Sequence, residues 1–133
     1  MSRGLRNCNP GNIRQSRSNF KGEVRPSRDS AFKQFESMAY GYRAMFVLLN
    51  SYHKRYGLTT IREMISRWAP PTENFTEGYI RFVSERSGIA ADAEVDSRSE
   101  RDMVPIVAAM SEIENGAKAV MTDVHEGWKL FSE

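Results

Sequence analysis

Cysteine and histidine are scarce in this 133-residue chain, which has one cysteine and two histidines. A single thiol cannot form an intramolecular disulfide, so the chain is not a disulfide-stapled scaffold. The three residues are scattered and lack the spacing of a structural zinc site. A phosphate-binding glycine-rich loop followed by Lys-Ser/Thr is also missing. We therefore expect neither a metal nor a cofactor.

Long hydrophobic runs are missing as well. No apolar segment approaches the ~20 residues needed to span a bilayer, so we expect no membrane insertion. The basic first 14 residues have no apolar stretch behind them, which predicts that there is no secretory signal peptide. In contrast, 40% hydrophobic residues and 11% aromatic residues are too many for a disordered tail. The length predicts one domain over residues 1–133 with its own core.

The net charge of +2 conceals an uneven distribution. Residues 1–28 contain seven basic residues and one acidic residue, a net charge of +6. Residues 89–133 contain ten acidic and four basic residues, a net charge of −6. One interpretation is a basic surface for a polyanion, either nucleic acid or the carboxylate-bearing bacterial wall. The other is that the two ends of a compact domain lie close together and attract each other.

Hydrophobic periodicity predicts five helices, most of them followed by a glycine or a proline that stops the helix. They cover residues 37–56, 61–68, 76–87, a segment that starts between 99 and 104 and ends at 115, and about 122–131. The start of the fourth helix depends on Pro105, because proline is favoured in a first helical turn. The acidic stretch 89–98 is predicted to be a connecting loop.

The first 30 residues are rich in Gly, Asn, Ser, Pro and Arg and show no helical period. Alternation around residues 20–23 and 31–35 is compatible with a short β-hairpin, and the aromatic residues in this region predict that it packs against the rest. The expected fold class is therefore mostly α, of an α+β kind, with about five helices and an irregular N-terminal lobe.

Among the carboxylates, Glu114 has the most unusual predicted position. It lies in the last turn of the fourth helix, one turn after Met110, on or beside the apolar stripe. A carboxyl group beside apolar side chains keeps its proton more readily, which suits a general acid. The alternative is that Glu114 caps its helix or pairs with an arginine of the basic lobe.

Other candidates have stronger structural explanations. Glu36 and Glu73 each precede a predicted helix, where a negative charge is favoured. Trp68 and Tyr79 could line a sugar site, since aromatic faces stack on pyranose rings. At helical spacing, however, such aromatic residues more often belong to the core.

Three stretches make the sequence resemble phage and prophage cell-wall lytic proteins of the lysozyme superfamily. The N-terminal Asn-Pro-Gly-Asn-Ile-Arg turn, with the aromatic-x-Gly and aromatic-x-x-aromatic pairs behind it, resembles virion-associated lysins and wall-cleaving glucosaminidases. The segment from Trp68 to Val83 resembles the Glu-Thr-x-x-Tyr-Val segment of lytic transglycosylases. These stretches are residues 3–14, residues 20–22 with 32–44, and residues 68–83.

The resemblance implies a lysozyme-like fold and a catalytic role for Tyr79. The order of the segments differs, however, because in those enzymes the catalytic Glu ends a helix that precedes the Asn-Pro-Gly-Asn-Ile turn. Here the Glu114-Asn-Gly helix end follows that turn by about 100 residues, so the resemblance implies a circularly permuted arrangement with Glu114 in the same cleft as Tyr79. Glu36 remains the unpermuted alternative. The substrate-binding residues implied are Asn9, Asn12, Trp68, Glu73 and Asn115.

The activity implied is cleavage of peptidoglycan glycan strands between N-acetylmuramic acid and N-acetylglucosamine, by a lytic transglycosylase or a hydrolase. Such a protein would leave the cytoplasm through a holin or lysis, or travel with a virion, and act at the bacterial wall. The alternative is a non-catalytic virion structural protein or wall-binding module. A nucleic-acid-binding domain is a weaker third interpretation, since no helix-turn-helix or RNP signature is present.

Overall fold

The computed structural model describes residues 1–72 and 74–133. This part of the chain is mostly helical and includes a small two-stranded antiparallel sheet, which confirms the coarse fold class. In chain order the elements are α1 (Arg3–Arg6), β1 (Glu23–Val24), β2 (Gln34–Phe35), α2 (Met38–Tyr56), α3 (Ile61–Trp68), α4 (Thr76–Ser87), α5 (Glu100–Asn115) and α6 (Met121–Ser132). Helices α2 to α6 are the five that the periodicity predicts. Glu73, a predicted substrate-binding residue, lies outside the described residues.

The boundaries of the long helices follow the predicted capping residues. The Ser37 hydroxyl accepts a hydrogen bond from the Tyr40 amide at the start of α2, and Gly57 ends that helix in the left-handed conformation. Thr60 and Glu63 form a capping box at the start of α3. Local sequence therefore fixes where these helices begin and end.

Two local predictions were wrong. One turn of helix, α1, interrupts the N-terminal segment predicted to be irregular, and the Ser2 hydroxyl caps it. A single turn is too short to produce a detectable apolar period. Pro105 is the sixth residue of α5 rather than part of its first turn. The lost backbone hydrogen bond would have gone to the carbonyl of Arg101, four residues earlier in α5.

The core lies between α2 and the C-terminal helices. Gly127 of α6 lets that helix approach α2 closely, since a side-chain carbon there would lie 2.6 Å from the Cβ of Tyr42. Phe46 packs edge-on against Trp128 with ring centroids 5.0 Å apart, and Phe131 completes the cluster. Burial of these large rings stabilises the contact between two helices that are far apart in sequence.

The N-terminal lobe forms the predicted hairpin, in which Glu23 pairs with Phe35 in antiparallel register. Its interior contains an ion pair. The ammonium of Lys33, whose side chain is 0% exposed, lies 3.0 Å from the carboxylate of Glu23, which is 1% exposed. Lys33 also donates to the carbonyl of Ser18 at 2.8 Å. The lobe is thus held by a buried charge pair as well as by its aromatic residues.

The basic and acidic ends of the sequence meet, but not through the expected charge attraction. Within residues 1–72 and 74–133, no ion pair joins residues 1–28 to residues 89–133. The ends are joined instead by hydroxyl and amide hydrogen bonds, such as Ser2 Oγ to Asn115 Oδ1 at 2.7 Å. The end of α5, which carries the Glu114 carboxylate, is therefore joined to the N-terminal lobe by neutral groups that do not cancel its charge.

No helix in the described part of the chain is both long and apolar enough to cross a membrane. Over the same residues, no group of three or more His, Cys, Asp or Glu side chains is placed so that it could hold a metal ion.

Candidate active site

The N-terminal turn at residues 9–13 is shaped from within by a buried asparagine. The Asn9 amide nitrogen donates to the carbonyls of Ile13 and Lys33, both at 2.9 Å, and its oxygen accepts from the Ile13 amide. All of these partners belong to the protein, and Asn9 is fully buried. Asn9, predicted to bind substrate, therefore has a positioning role in this structure.

A second asparagine fixes this turn to the end of α5. The Asn115 amide nitrogen donates to the Pro10 carbonyl at 2.8 Å and to the Ser111 carbonyl at 2.9 Å. Its oxygen accepts from Ser2. Asn115 was also predicted to bind substrate, but its amide group is occupied by these contacts. It holds the N-terminal segment against the residue that precedes it in α5, Glu114.

Glu114 is the point where three distant segments converge. Its Oε1 accepts a hydrogen bond from the Asn12 amide nitrogen at 2.9 Å, and its Oε2 accepts one from the Tyr79 hydroxyl, also at 2.9 Å. Asn12 has a positive φ of 49°, a conformation that asparagine tolerates better than most residues. The structure thus brings three of the predicted site residues into direct contact.

Tyr79 serves Glu114 as a neutral hydrogen-bond donor. Burial raises the pKa of Tyr79 well above 10, and the adjacent Glu114 carboxylate raises it further. The phenol therefore keeps its proton at any physiological pH. A hydroxyl can also accept a hydrogen bond, so Tyr79 can remain bonded to Glu114 whether or not the carboxyl group carries a proton.

An open cleft of about 390 Å³ lies beside this cluster. Its described lining combines aromatic rings, polar side chains and one carboxylate, that of Glu114. The lining residues are Gly11, Asn12, Ile13, Arg14, Phe32, Leu48, Tyr52, Trp68, Ala69, Asn74 and Glu114. Gly11 forms part of the floor, because a side-chain carbon there would lie 2.8 Å from the Trp68 ring. A cleft with aromatic walls and a single partly exposed carboxyl group fits a polar ligand that has flat apolar faces.

Glu36 is placed differently. Its side chain is exposed, and it does not belong to the lining of the cleft. Its backbone amide donates to the Gly22 carbonyl, which extends the hairpin. The structure therefore does not place Glu36 in the cleft that Glu114 lines.

Some residues of the cleft were not predicted as site residues. Arg14, Phe32, Tyr52 and Asn74 all line it. Phe32 belongs to the aromatic-x-x-aromatic pair and Tyr52 to the apolar stripe of α2, so each carries a recognisable pattern. That pattern indicates packing, and only the tertiary contacts reveal that these rings also face the cleft.

We expect Gly4→Ala to disrupt this site. A side-chain carbon at position 4 would lie 2.6 Å from the amide oxygens of both Asn12 and Asn115. These asparagines must then shift away from Glu114 and Pro10. We expect a loss of about 1–3 kcal/mol in the free energy of unfolding, typical of overpacking, measured by urea denaturation.

The matched control for this prediction is Gly57→Ala. Gly57 has a φ of 66° and nothing within 4 Å of the position of an added carbon. Alanine there costs about 1 kcal/mol through backbone strain alone and leaves the cleft unchanged. Gly4→Ala should therefore impair ligand binding in the cleft, whereas Gly57→Ala should not. An equal loss of ligand binding in the two variants would show that the hydrogen bond between Asn12 and Glu114 is not sensitive to crowding at position 4.

The fold and the site together define a class of protein. It is a mostly helical protein with an open aromatic cleft, in which a carboxylate at a helix end is held by a tyrosine and an asparagine. No protein-family model matches the chain. It is similar to Protein P5 of Pseudoalteromonas phage PM2, with 35% identity over 125 residues that span 92% of this chain and 76% of the phage protein. The chain belongs to the family of this phage protein.

Proposed function

We propose that this protein is a peptidoglycan-cleaving glycosidase that acts between N-acetylmuramic acid and N-acetylglucosamine. The observation that carries the proposal is the position of Glu114. Its carboxyl group lies in an open aromatic cleft and is oriented by two neutral donors, Tyr79 and Asn12. These donors fix the direction of the carboxyl group, and a carboxyl group in a fixed position can transfer a proton to or from a bound substrate.

The reaction we propose is that of a lytic transglycosylase. Protonated Glu114 donates its proton to the glycosidic oxygen, and the bond from that oxygen to C1 of N-acetylmuramic acid breaks. The 6-hydroxyl of the same sugar then attacks C1 and gives its proton back to the Glu114 carboxylate. The products are a 1,6-anhydro end and a new N-acetylglucosamine hydroxyl, and no water is consumed.

The carboxylate content of the cleft favours this reaction over hydrolysis. A hydrolase normally places a second carboxyl group ~5–5.5 Å away for retention or ~6.5–9.5 Å away for inversion. Among the described residues that line the cleft, Glu114 is the sole carboxylate. We therefore assign it both proton transfers, as acid and then as base.

The walls of the cleft suit a sugar chain. Tyr52 and Trp68 lie with ring centroids 6.4 Å apart, and Phe32 lines the cleft as well. The C–H faces of pyranose rings pack on aromatic rings, while Asn74 and Arg14 offer hydrogen-bond donors to hydroxyl and acetamido groups. The contact of the first 12 residues with the end of α5 also supports our proposal of a permuted lysozyme-like arrangement.

Product analysis tests the proposed function. Purified sacculi are incubated with the full chain, and the released fragments are identified by mass spectrometry. We expect soluble muropeptides with 1,6-anhydro ends. Reducing ends would indicate a hydrolase instead. If sacculi bind the protein but release no fragments over a range of pH and salt, the non-catalytic wall-binding or virion structural alternative is favoured.

We expect Tyr79→Phe to lower the rate of cleavage about 10- to 100-fold. The ring keeps its packing in α4, but the hydrogen bond to the Glu114 carboxyl group is lost. A hydrogen bond to a charged group is worth roughly 1.5–3 kcal/mol, which corresponds to this range of rates. The measurement is the initial rate of muropeptide release. Tyr40→Phe, outside the lining of the cleft, is the control and should retain the full rate. Equal rates for the two variants would remove Tyr79 from the mechanism.

A further inference from the structure

A second groove of about 590 Å³ adjoins the cleft and differs from it in charge. The two share Leu48 and Tyr52 in their linings, so they are neighbouring parts of one surface. We call this second region the basic groove. Its side chains of interest are Lys21, Arg43, Arg55, Arg67, Tyr52 and Tyr56. Four cations line it, and none of its described lining residues is acidic.

The cations of the basic groove are not neutralised by the protein. None of the ion pairs found among residues 1–72 and 74–133 involves any of the four. Arg43 differs from the other three, because its Nε is buried and has no hydrogen-bond partner in the described part of the chain. Buried donors normally have a partner, so the fold does not satisfy this guanidinium completely.

Arg67 is held in place by aromatic rings. Its guanidinium lies 3.8 Å from the centroid of Tyr56 and 5.4 Å from that of Tyr52. A guanidinium stacked in this way has lost much of its freedom, yet its N–H groups remain available at the ring edge. Four like charges around one groove repel each other, and an anion bound between them would relieve that repulsion.

We propose that the basic groove binds the carboxylates of the peptide stems that branch from the glycan strand. This inference rests on the proposed function, because it makes the basic groove the part of the peptidoglycan site that lies beside the sugar cleft. In peptidoglycan the stem leaves the lactyl group of N-acetylmuramic acid, the sugar that would react at Glu114. A stem therefore starts within a few ångströms of the cleft and carries several carboxylates. Arginine forks match carboxylates in geometry as well as in charge.

Binding to a soluble stem tetrapeptide, prepared from Gram-negative sacculi by amidase, tests the inference without requiring catalysis. The tetrapeptide is titrated into the full-length Glu114→Gln variant and observed by NMR and calorimetry. We expect binding that weakens as salt is raised. We expect Arg43→Gln to weaken it about 10-fold, as loss of a charged hydrogen bond does, and Arg55→Gln/Arg67→Gln by more. The double variant changes only exposed side chains, so it still tests the inference if Arg43→Gln fails to fold.

Arg101→Gln is the charge-matched control. Arg101 is exposed and lies 13 residues before Glu114 on α5, about 20 Å along that helix. It should bind the tetrapeptide as the parent does. If all three variants bind it equally well, the inference is overturned.

Intact sacculi and glycan strands stripped of their stems distinguish this inference from the proposed function. We expect the parent chain to sediment with intact sacculi at least 10-fold more tightly than with stripped strands, and the double arginine variant to lose that preference. Stem binding without any cleavage would support the basic groove and contradict the glycosidase. Cleavage with equal affinity for intact sacculi and stripped strands would support the glycosidase and contradict the role of the basic groove. If a duplex DNA oligonucleotide binds more tightly than sacculi at 150 mM salt and needs the same arginines, a nucleic acid is the ligand and the inference fails.

Discussion

Glu114→Gln is expected to lower muropeptide release from sacculi by at least a factor of about 10²–10⁴, the range that positioned acid–base groups contribute. The amide cannot donate a proton to the glycosidic oxygen or accept one from the 6-hydroxyl. Its size and shape are those of the carboxyl group, so packing at the end of α5 is retained. Its NH₂ group must face either Tyr79 or Asn12, both of which donate to the carboxylate. We expect a cost of about 1 kcal/mol of stability or less, because the Tyr79 hydroxyl can turn and accept from the NH₂ group.

Three matched variants make this result specific. Glu112→Gln removes a carboxylate two residues away on α5 that pairs with Arg86 at 2.9 Å. Glu36→Gln removes the unpermuted candidate, and Glu73→Gln tests the predicted residue that lies outside the described structure. If Glu112→Gln and Glu36→Gln still release muropeptides and Glu114→Gln does not, Glu114 is the acid. Loss in Glu73→Gln as well would indicate a second carboxylate and hence hydrolysis. Full activity of Glu114→Gln would contradict the proposed mechanism.

Glu23→Gln is expected to destabilise the N-terminal lobe by about 3–5 kcal/mol, because it leaves the ammonium of Lys33 buried without its counter-charge. Both side chains are almost completely buried. Urea denaturation at pH 7 measures the change. The double variant Glu23→Gln/Lys33→Met removes both charges and should lose less than the single variant. A single variant within 1 kcal/mol of the parent would show that water reaches Lys33.

The same pair makes stability depend on pH. Burial alone would raise the pKa of Glu23, but hydrogen bonds from the Phe20 amide, Lys33 and Arg25 outweigh it and lower the pKa below the ordinary 4.5. A carboxyl group whose pKa is lower in the folded state adds stability that is fully present above its unfolded pKa. That contribution is lost as the pH falls below about 4.5 towards the folded value. The difference in stability between the parent and Glu23→Gln should therefore shrink over this range.

Much of the fold can be predicted from the sequence because its determinants are local. Ser37, Thr60, Gly57 and Gly116 place the ends of helices through hydrogen bonds and backbone conformations that involve only nearby residues. The same holds for the hairpin of the N-terminal lobe. Local rules fail where a tertiary contact competes with them. Pro105 lies inside α5 because the buried face of that helix offsets a lost hydrogen bond.

The candidate site was only partly predictable. The apolar stripe of α5 singles out Glu114, and the resemblance to wall-lytic enzymes singles out Tyr79. The roles of the asparagines depend on contacts that no local pattern encodes. Asn9 and Asn12 lie in one turn, yet one is buried among backbone carbonyls while the other reaches Glu114. The uneven charge indicated that the two ends of the chain interact, but not that neutral groups would join them.

By itself, the sequence determined where the five longer helices lie, which of their faces are apolar and which carboxylate lies beside an apolar stripe at a helix end. These features depend on periodicity and capping over a few residues. Only the tertiary structure decided that Glu114 contacts Tyr79 and Asn12, which are 35 and 102 residues away along the chain. The physical reason is that side-chain hydrogen bonds require positions accurate to a few tenths of an ångström. That accuracy arises when the helices pack around their shared core, with Gly4 and Asn115 bringing the N-terminal segment against the end of α5.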